Sequence, residues 1–320
     1  MNARTIIAAA VSIAILAGIA ATIDIHELAR YFRTMNLWYL FFSFILLIPI
    51  IIIHALRYRV IIRSHYRLSL TESIQLTLVG MSLNIVTPSK LGDFGRAYAL
   101  QERLPLASGI SSIIMEKYLD LFALFSLVLA AGIFVPEKTS LIWIILLLAA
   151  GFLLTSALLL CIDFSIFLPL IPFKKLRGAY AGLAQFANGI RRNPMQLFTI
   201  AGFSIINWTI QLFQFYLFFL TFRFPISPSL LSLVPIAITI GMIPISFNGI
   251  GTRDSAFIFL FTGYAPASLM VGIGLCATLR NLFPGIAGLL FMKNLIIPRP
   301  RHVTRTTAPA SLQKQLSETR

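Results

Sequence analysis

Apolar residues along this chain come in long blocks separated by short polar runs, and the length of the blocks sets the first structural expectation. Residues 37–56 (LWYLFFSFILLIPIIIIHAL) contain no Asp, Glu, Lys or Arg, and neither do residues 140–162. A helix needs about 20 such residues to cross the hydrocarbon of a bilayer. Apolar blocks of about this length lie at 5–22, 37–56, 140–162, 196–221 and 266–292, and another ends near Val135. They predict about six full transmembrane helices. The first block follows Arg4 and has small residues at Ala20 and Ala21, so a cleaved signal peptide is its alternative reading. A membrane β-barrel would instead show alternating segments of about ten residues, and the blocks here do not alternate. The fold class is an all-α polytopic membrane protein.

Two regions, 72–104 and 229–265, break the pattern. The first contains GMSLNIVTPSKLGDFGRAYAL (80–100), where Pro88, Gly92 and Gly95 interrupt a helix beside Lys90, Asp93 and Arg96. The second contains GMIPISFNGIGTRDSAFIF (241–259), with Pro244, Gly249 and Gly251 as breakers and Arg253 and Asp254 charged. Each opens on Gly-Met and closes in a small and aromatic apolar run. Unwound backbone is tolerated at membrane depth only where protein or a polar cavity satisfies it. Both regions therefore read as re-entrant broken-helix hairpins related as an inverted repeat, an arrangement in which broken helices meet near the midplane. Two interfacial loops rich in glycine and charge are the plainer alternative.

Charge placement gives an orientation. The chain has 58% hydrophobic and 12% charged residues, a mean hydropathy of +0.88 and a net charge of +15. Its basic residues lie in short runs between blocks, which points to the positive-inside rule and away from nucleic acid. With the amino terminus, 57–67, 163–195 and the tail on the cytoplasmic side, those segments hold sixteen Lys and Arg, against four in 23–36, 136–139 and 222–228. Keeping 163–195 inside requires region 72–104 to enter and return on the cytoplasmic side, and 229–265 to do so on the outer side. Residues 163–195 are expected to include an amphipathic surface helix. The chain divides into a single transmembrane domain, 1–292, and a basic, disordered tail, 293–320.

The candidate chemistry is a set of charges inside apolar blocks. Glu116, Lys117 and Asp120 fall in SSIIMEKYLDLFALFSL, with Glu116 and Asp120 on one helical face and Lys117 in reach of Asp120. Arg280 sits in the last block, just before Pro284. Each central charge costs roughly 2.5–3.5 kcal/mol on insertion scales, so partners or water are expected. With Asp93, Arg96, Arg253 and Asp254 they make four acids and four bases. Mutual neutralisation for helix packing is one reading. The other is a polar cavity for a zwitterionic or anionic headgroup, with Arg96, Arg253 and Arg280 as phosphate partners. HExxH, DxD, GxSxG and P-loop patterns are absent, the four His are scattered, and no catalytic residue, metal site or cofactor is expected.

Three runs in this order, NIVTPSKLGDFGR (84–96), EKYLD (116–120) and PISFNGIGTRD (244–254), resemble the flippase-like transmembrane region of lysylphosphatidylglycerol synthases, a family that also occurs as stand-alone membrane proteins. The likeness covers essentially the whole chain. Lys117 stands where the pattern has Arg, Asp93 and Asp254 where Glu is more common, and Phe247-Asn248 where it has Pro-Gly. The aminoacyl-transferase domain of the synthases has no counterpart here, so lysine transfer is not inherited. The resemblance implies lipid binding or translocation, of a phospholipid, an isoprenoid-linked sugar or a hopanoid-like lipid. The substrate-binding candidates are Asn84, Pro88, Gly92, Asp93, Arg96, Glu116, Lys117, Asp120, Asn248, Gly249, Gly251, Arg253, Asp254 and Arg280. The expected function is a flippase-like protein of the cell (inner) membrane, not an enzyme, with both termini cytoplasmic. Its rivals are a membrane subunit or enzyme of lipid-linked glycan synthesis, and a non-transporting scaffold with an enzyme partner.

Overall fold

The boundaries of the helices follow from side chains that satisfy the free N–H groups of a first turn. Asp24, Asn36, Ser69, Asn193 and Ser227 each accept such an N–H, and Pro194 and Pro228 occupy the adjoining first helical position. A computed structural model describes residues 12–296, apart from 13, 16, 20, 22, 64, 88–90, 133–139, 171, 173 and 243–248. Within them the helices are α1 (Ile25–Thr34), α2 (Leu37–Ile45), α3 (Leu47–Ile62), α4 (Leu70–Val86), α5 (Gly95–Ala99), α6 (Leu106–Gly132) and α7 (Ser140–Cys161). They continue as α8 (Lys174–Arg191), α9 (Pro194–Thr221), α10 (Pro228–Leu231), α11 (Leu233–Gly241), α12 (Thr252–Leu260) and α13 (Ala267–Ile296). Two 3-10 turns, Leu91–Phe94 and Phe164–Leu170, lie among them, the described residues between 12 and 21 are helical as well, and the described residues form no strand.

Three of these stretches are long and apolar enough to cross a membrane: Leu37–Ile62, Pro194–Thr221 and Ala267–Lys293. Shorter apolar helical segments lie at Leu70–Val86, Trp143–Leu158 and Pro228–Gly241. α6 has the length, with 27 residues, but carries Glu116, Lys117 and Asp120. Most of the expected span 5–22, the loop 136–139 and the tail beyond Ile296 lie outside the described residues. The chain is a multi-pass α-helical membrane protein. The basic run at 57–67 forms the expected loop only from Arg63 onward, because α3 continues to Ile62 and its Arg57 is completely buried. The expected helix in 163–195 is α8, which turns Ala184, Ala187 and Ile190 inward.

Both odd regions double back. α4 stops where Thr87 precedes Pro88, and Thr87 takes an extended conformation, as a residue before proline tends to. The chain then returns along α4 through Leu91–Phe94 and α5. Gly92 lies so close to the backbone of Leu83 and Asn84 that a Cβ would overlap it, and Gly80 lies beside Asp93 and Arg96. The second hairpin pairs α11 with α12 in the same way, with Gly241 against Arg253. Each hairpin is followed by a long helix, α6 after the first and α13 after the second.

The first hairpin is packed against α13. Gly285 faces Ile85 and the Met81 carbonyl, Gly288 faces Ser82 and the Leu78 carbonyl, and Ser82 Oγ donates to the Gly285 carbonyl. Small residues allow such backbone approach between membrane helices, where dispersion and hydrogen bonds drive association. α9, α11, α12 and α13 enclose an aromatic core that includes Phe215, Phe218, Phe219, Phe257 and Phe261. Gly288→Ala is expected to lower the unfolding midpoint in detergent, at a cost of about 1–3 kcal/mol from overpacking. Gly202→Ala, where the added methyl meets open space, should leave the midpoint unchanged or higher.

Candidate functional site

Glu116 and Asp120 lie one turn apart on α6, and that spacing matches the fork of a guanidinium. Arg57 on α3 fills it, with Nη1 2.6 Å from Asp120 Oδ1 and Nη2 2.8 Å from Glu116 Oε1. The other oxygen of Glu116, Oε2, is 2.8 Å from Arg96 Nη2 on α5. Arg96 also lies 3.6 Å from Asp93 Oδ1, and Asp93 Oδ2 holds the Lys117 ammonium. The six residues form an alternating ladder, Asp120–Arg57–Glu116–Arg96–Asp93–Lys117. Arg57, Arg96 and Glu116 in its middle are almost wholly excluded from solvent, with side-chain exposures of 0%, 2% and 0%. Removing such ions from water costs several kcal/mol each, repaid only when the partners are complete. Each of these three has two opposite charges beside it, while the Arg57 Nε–H has no hydrogen-bond acceptor among the described residues.

Neutral groups fix the ladder in place. Ser204 Oγ accepts from Arg57 at 3.0 Å, Trp208 Nε1 donates to Asp120 at 3.0 Å, and Asn84 Nδ2 donates to Asp93 at 3.0 Å. His54, one turn before Arg57, has Nδ1 3.2 Å from Glu116 Oε1. The Arg96 guanidinium lies over the Tyr58 ring at 4.6 Å. The pairing expected between Lys117 and Asp120 does not occur. Arg57 takes the Asp120 carboxylate, and Lys117 turns to Asp93 on the returning hairpin.

The second hairpin builds a smaller pair. Gly249 and Gly251 have φ of 76° and 92°, a region that glycine enters without steric cost. The turn they form brings the Gly251 N–H to Asp254 Oδ2 at 3.0 Å, at the first turn of α12. Arg253 donates to Asp254 Oδ1 at 2.7 and 3.0 Å, and reaches α13 at the Gly274 carbonyl (2.9 Å) and Thr278 Oγ1 (3.0 Å).

Arg280 on α13 is held differently. Its guanidinium donates to Gln214 Oε1 at 2.9 Å and to Gln211 Oε1, and lies 5.3 Å from the centre of the Phe215 ring. Gln214 is oriented for this by donating its own amide to the Ser43 carbonyl at 2.6 Å. Among the described residues no carboxylate lies within ion-pair reach of Arg280.

This arginine lines two cavities. The larger, about 90 Å³, is lined by His54, Asn84, Asp93, Arg96, Lys117, Asp120 and Gln211 among others. One water needs roughly 10–15 Å³ measured this way, so it accommodates several waters or a small polar group. The smaller, about 40 Å³, is lined by Gly241, Gly249 and Arg253 of the second hairpin. Trp208, Arg280 and Asn281 line both. Of the sequence candidates, Asn84, Asp93, Arg96, Lys117, Asp120 and Arg280 face the first cavity, and Gly249, Arg253 and Arg280 the second. Glu116 and Gly92 are buried behind the first, Gly251 and Asp254 stand outside the lining of either, and Pro88 and Asn248 lie outside the described residues.

Sequence reasoning missed His54, Arg57 and the stripe Ser204, Trp208, Gln211 and Gln214 on α9. A signal for both was present. Val60-Ile61-Ile62 after Arg57 continues the apolar pattern, so the helix does not end at the arginine. The polar positions of α9 recur every three or four residues in an otherwise apolar span, which places them on one face.

A family model described as the lysylphosphatidylglycerol synthase TM region matches residues 5–288. No curated protein and no solved structure matches the chain.

Removing one member of the ladder strands its partners. Arg57→Ala is expected to destabilise the fold by about 3–5 kcal/mol, the usual cost of breaking a buried pair from one side. Arg57→Leu combined with Asp120→Leu should recover part of that loss. A double-mutant cycle on unfolding in detergent measures it, and additive losses would mean that the two side chains do not interact.

Proposed function

The chain belongs to the lysylphosphatidylglycerol synthase transmembrane family, and from that premise we propose that it binds an anionic or zwitterionic lipid headgroup in its buried cavities and moves it between leaflets. The observation that carries this reading is that Trp208, Arg280 and Asn281 line both cavities. One cavity borders the first hairpin and the other borders the second. In the orientation that the basic residues favour, with both termini in the cytoplasm of an inner-membrane protein, the hairpins enter from opposite faces as an inverted repeat, beside about six full crossings. A headgroup passing from one hairpin to the other then passes Arg280.

The carboxylates favour transport over catalysis. Asp93, Glu116, Asp120 and Asp254 are each held by a cation, so none stands ready to exchange a proton with a substrate. The candidate substrate-binding set is therefore read in two parts. Arg280, Lys117, Asn84 and Gly249 face the headgroup, and Asp93, Arg96, Glu116, Asp120, Arg253 and Asp254 hold the walls through their ion pairs.

In vesicles, the purified chain is expected to exchange acyl-labelled fluorescent phospholipid between leaflets, and Asn281→Trp, which adds bulk to this shared lining, should slow exchange at least about tenfold. Exchange no faster than in protein-free vesicles, or unchanged by Asn281→Trp, would remove the transport reading. The orientation has its own test. A cysteine at Thr139 should react with an impermeant reagent outside intact cells and one at Gly178 should not; the reverse result would invert the assignment of both hairpins.

A further inference from the structure

The charges that line the two cavities do not cancel, even with their ion-pair partners counted. Among the described residues they comprise five bases, Arg57, Arg96, Lys117, Arg253 and Arg280, against four acids, Asp93, Glu116, Asp120 and Asp254. The ladder on α6 is neutral in itself, and so is the Arg253–Asp254 pair. The surplus positive charge belongs to Arg280, whose partners Gln211, Gln214 and Phe215 orient it without neutralising it. Protonation of His54 would add to the same side. A half-buried guanidinium in an apolar bundle calls for a counter-charge. Two of its five N–H donors are taken by the glutamines, and it stands in the wall common to both cavities.

A phosphodiester carries one negative charge and suits a guanidinium geometrically. An ammonium arriving with it would find no free acid. Asp93 and Asp120 both face the larger cavity, but Lys117 and Arg57 already hold them. It would also lie near the like charges of Lys117 and Arg280.

We propose that the substrate is a phosphodiester lipid whose headgroup is net negative, and that Arg280 is the residue that selects it over net-neutral zwitterionic lipids. This rests on the transport reading and narrows its substrate class.

The test compares phosphatidylglycerol with phosphatidylcholine, both labelled on the acyl chain, in vesicles containing the purified chain. Phosphatidylglycerol should move about tenfold faster, equivalent to about 1.4 kcal/mol. Arg280→Gln should bring the ratio to about one by slowing phosphatidylglycerol alone, and Arg280→Lys should retain most of the preference. Equal rates in the unmodified protein would overturn the selectivity while leaving transport standing, even if Arg280→Gln does not fold. A preference that persists in folded Arg280→Gln would overturn the role of Arg280. Excess inorganic phosphate should leave the ratio unchanged; its abolition would mean that the site takes free phosphate. Movement of neither lipid would overturn the transport reading and this inference together.

Discussion

Ions far from water must be matched pairwise, and this requirement organises the bundle more than any single helix does. The alternating ladder draws its members from α3, the returning leg of the first hairpin, α5 and α6, while α9 supplies Ser204 and Trp208 to its Asp120 end. Three acids and three bases close on themselves, so segments remote in sequence are tied together by an interaction that loses its balance when any one of them is absent. A buried ion pair is not inherently better than apolar packing. What it adds here is mutual dependence: each segment leaves an unmatched charge behind if it moves away.

The second region follows the same requirement on a smaller scale. Asp254 accepts both the backbone N–H of Gly251 and the guanidinium of Arg253, while Arg253 extends to a carbonyl and a hydroxyl on α13. The two hairpins thus have different anchors, one into α6 through charge and one into α13 mainly through hydrogen bonds. Between them runs α9, whose polar stripe touches the ladder at Ser204 and Trp208 and the isolated arginine at Gln211 and Gln214. That helix is the common wall of the two halves.

Much of the architecture was readable in advance because its determinants are local. Block length marks the long helices, and Pro88, Gly92, Gly249 and Gly251 mark the places where the chain turns back. The candidate residues were legible for a related reason: charge inside an apolar block is conspicuous wherever the block packs. Partner choice was not legible. Lys117 and Asp120 are close on one helix, yet Arg57, remote in sequence, takes Asp120, and Lys117 is drawn to Asp93. Arg57 itself was hidden by its position after a hydrophobic block, where a membrane-surface arginine is the commoner reading. Its burial turns an even balance of charges into a surplus of one.

Both ends of the ladder, Lys117 and Asp120, are carried by α6, and two rungs tie the first hairpin to that helix: Arg96 to Glu116 and Asp93 to Lys117. Both rungs end on adjacent residues of one helical turn, so a hairpin that moved away from α6 would leave Glu116 and Lys117 to find new partners at the same time.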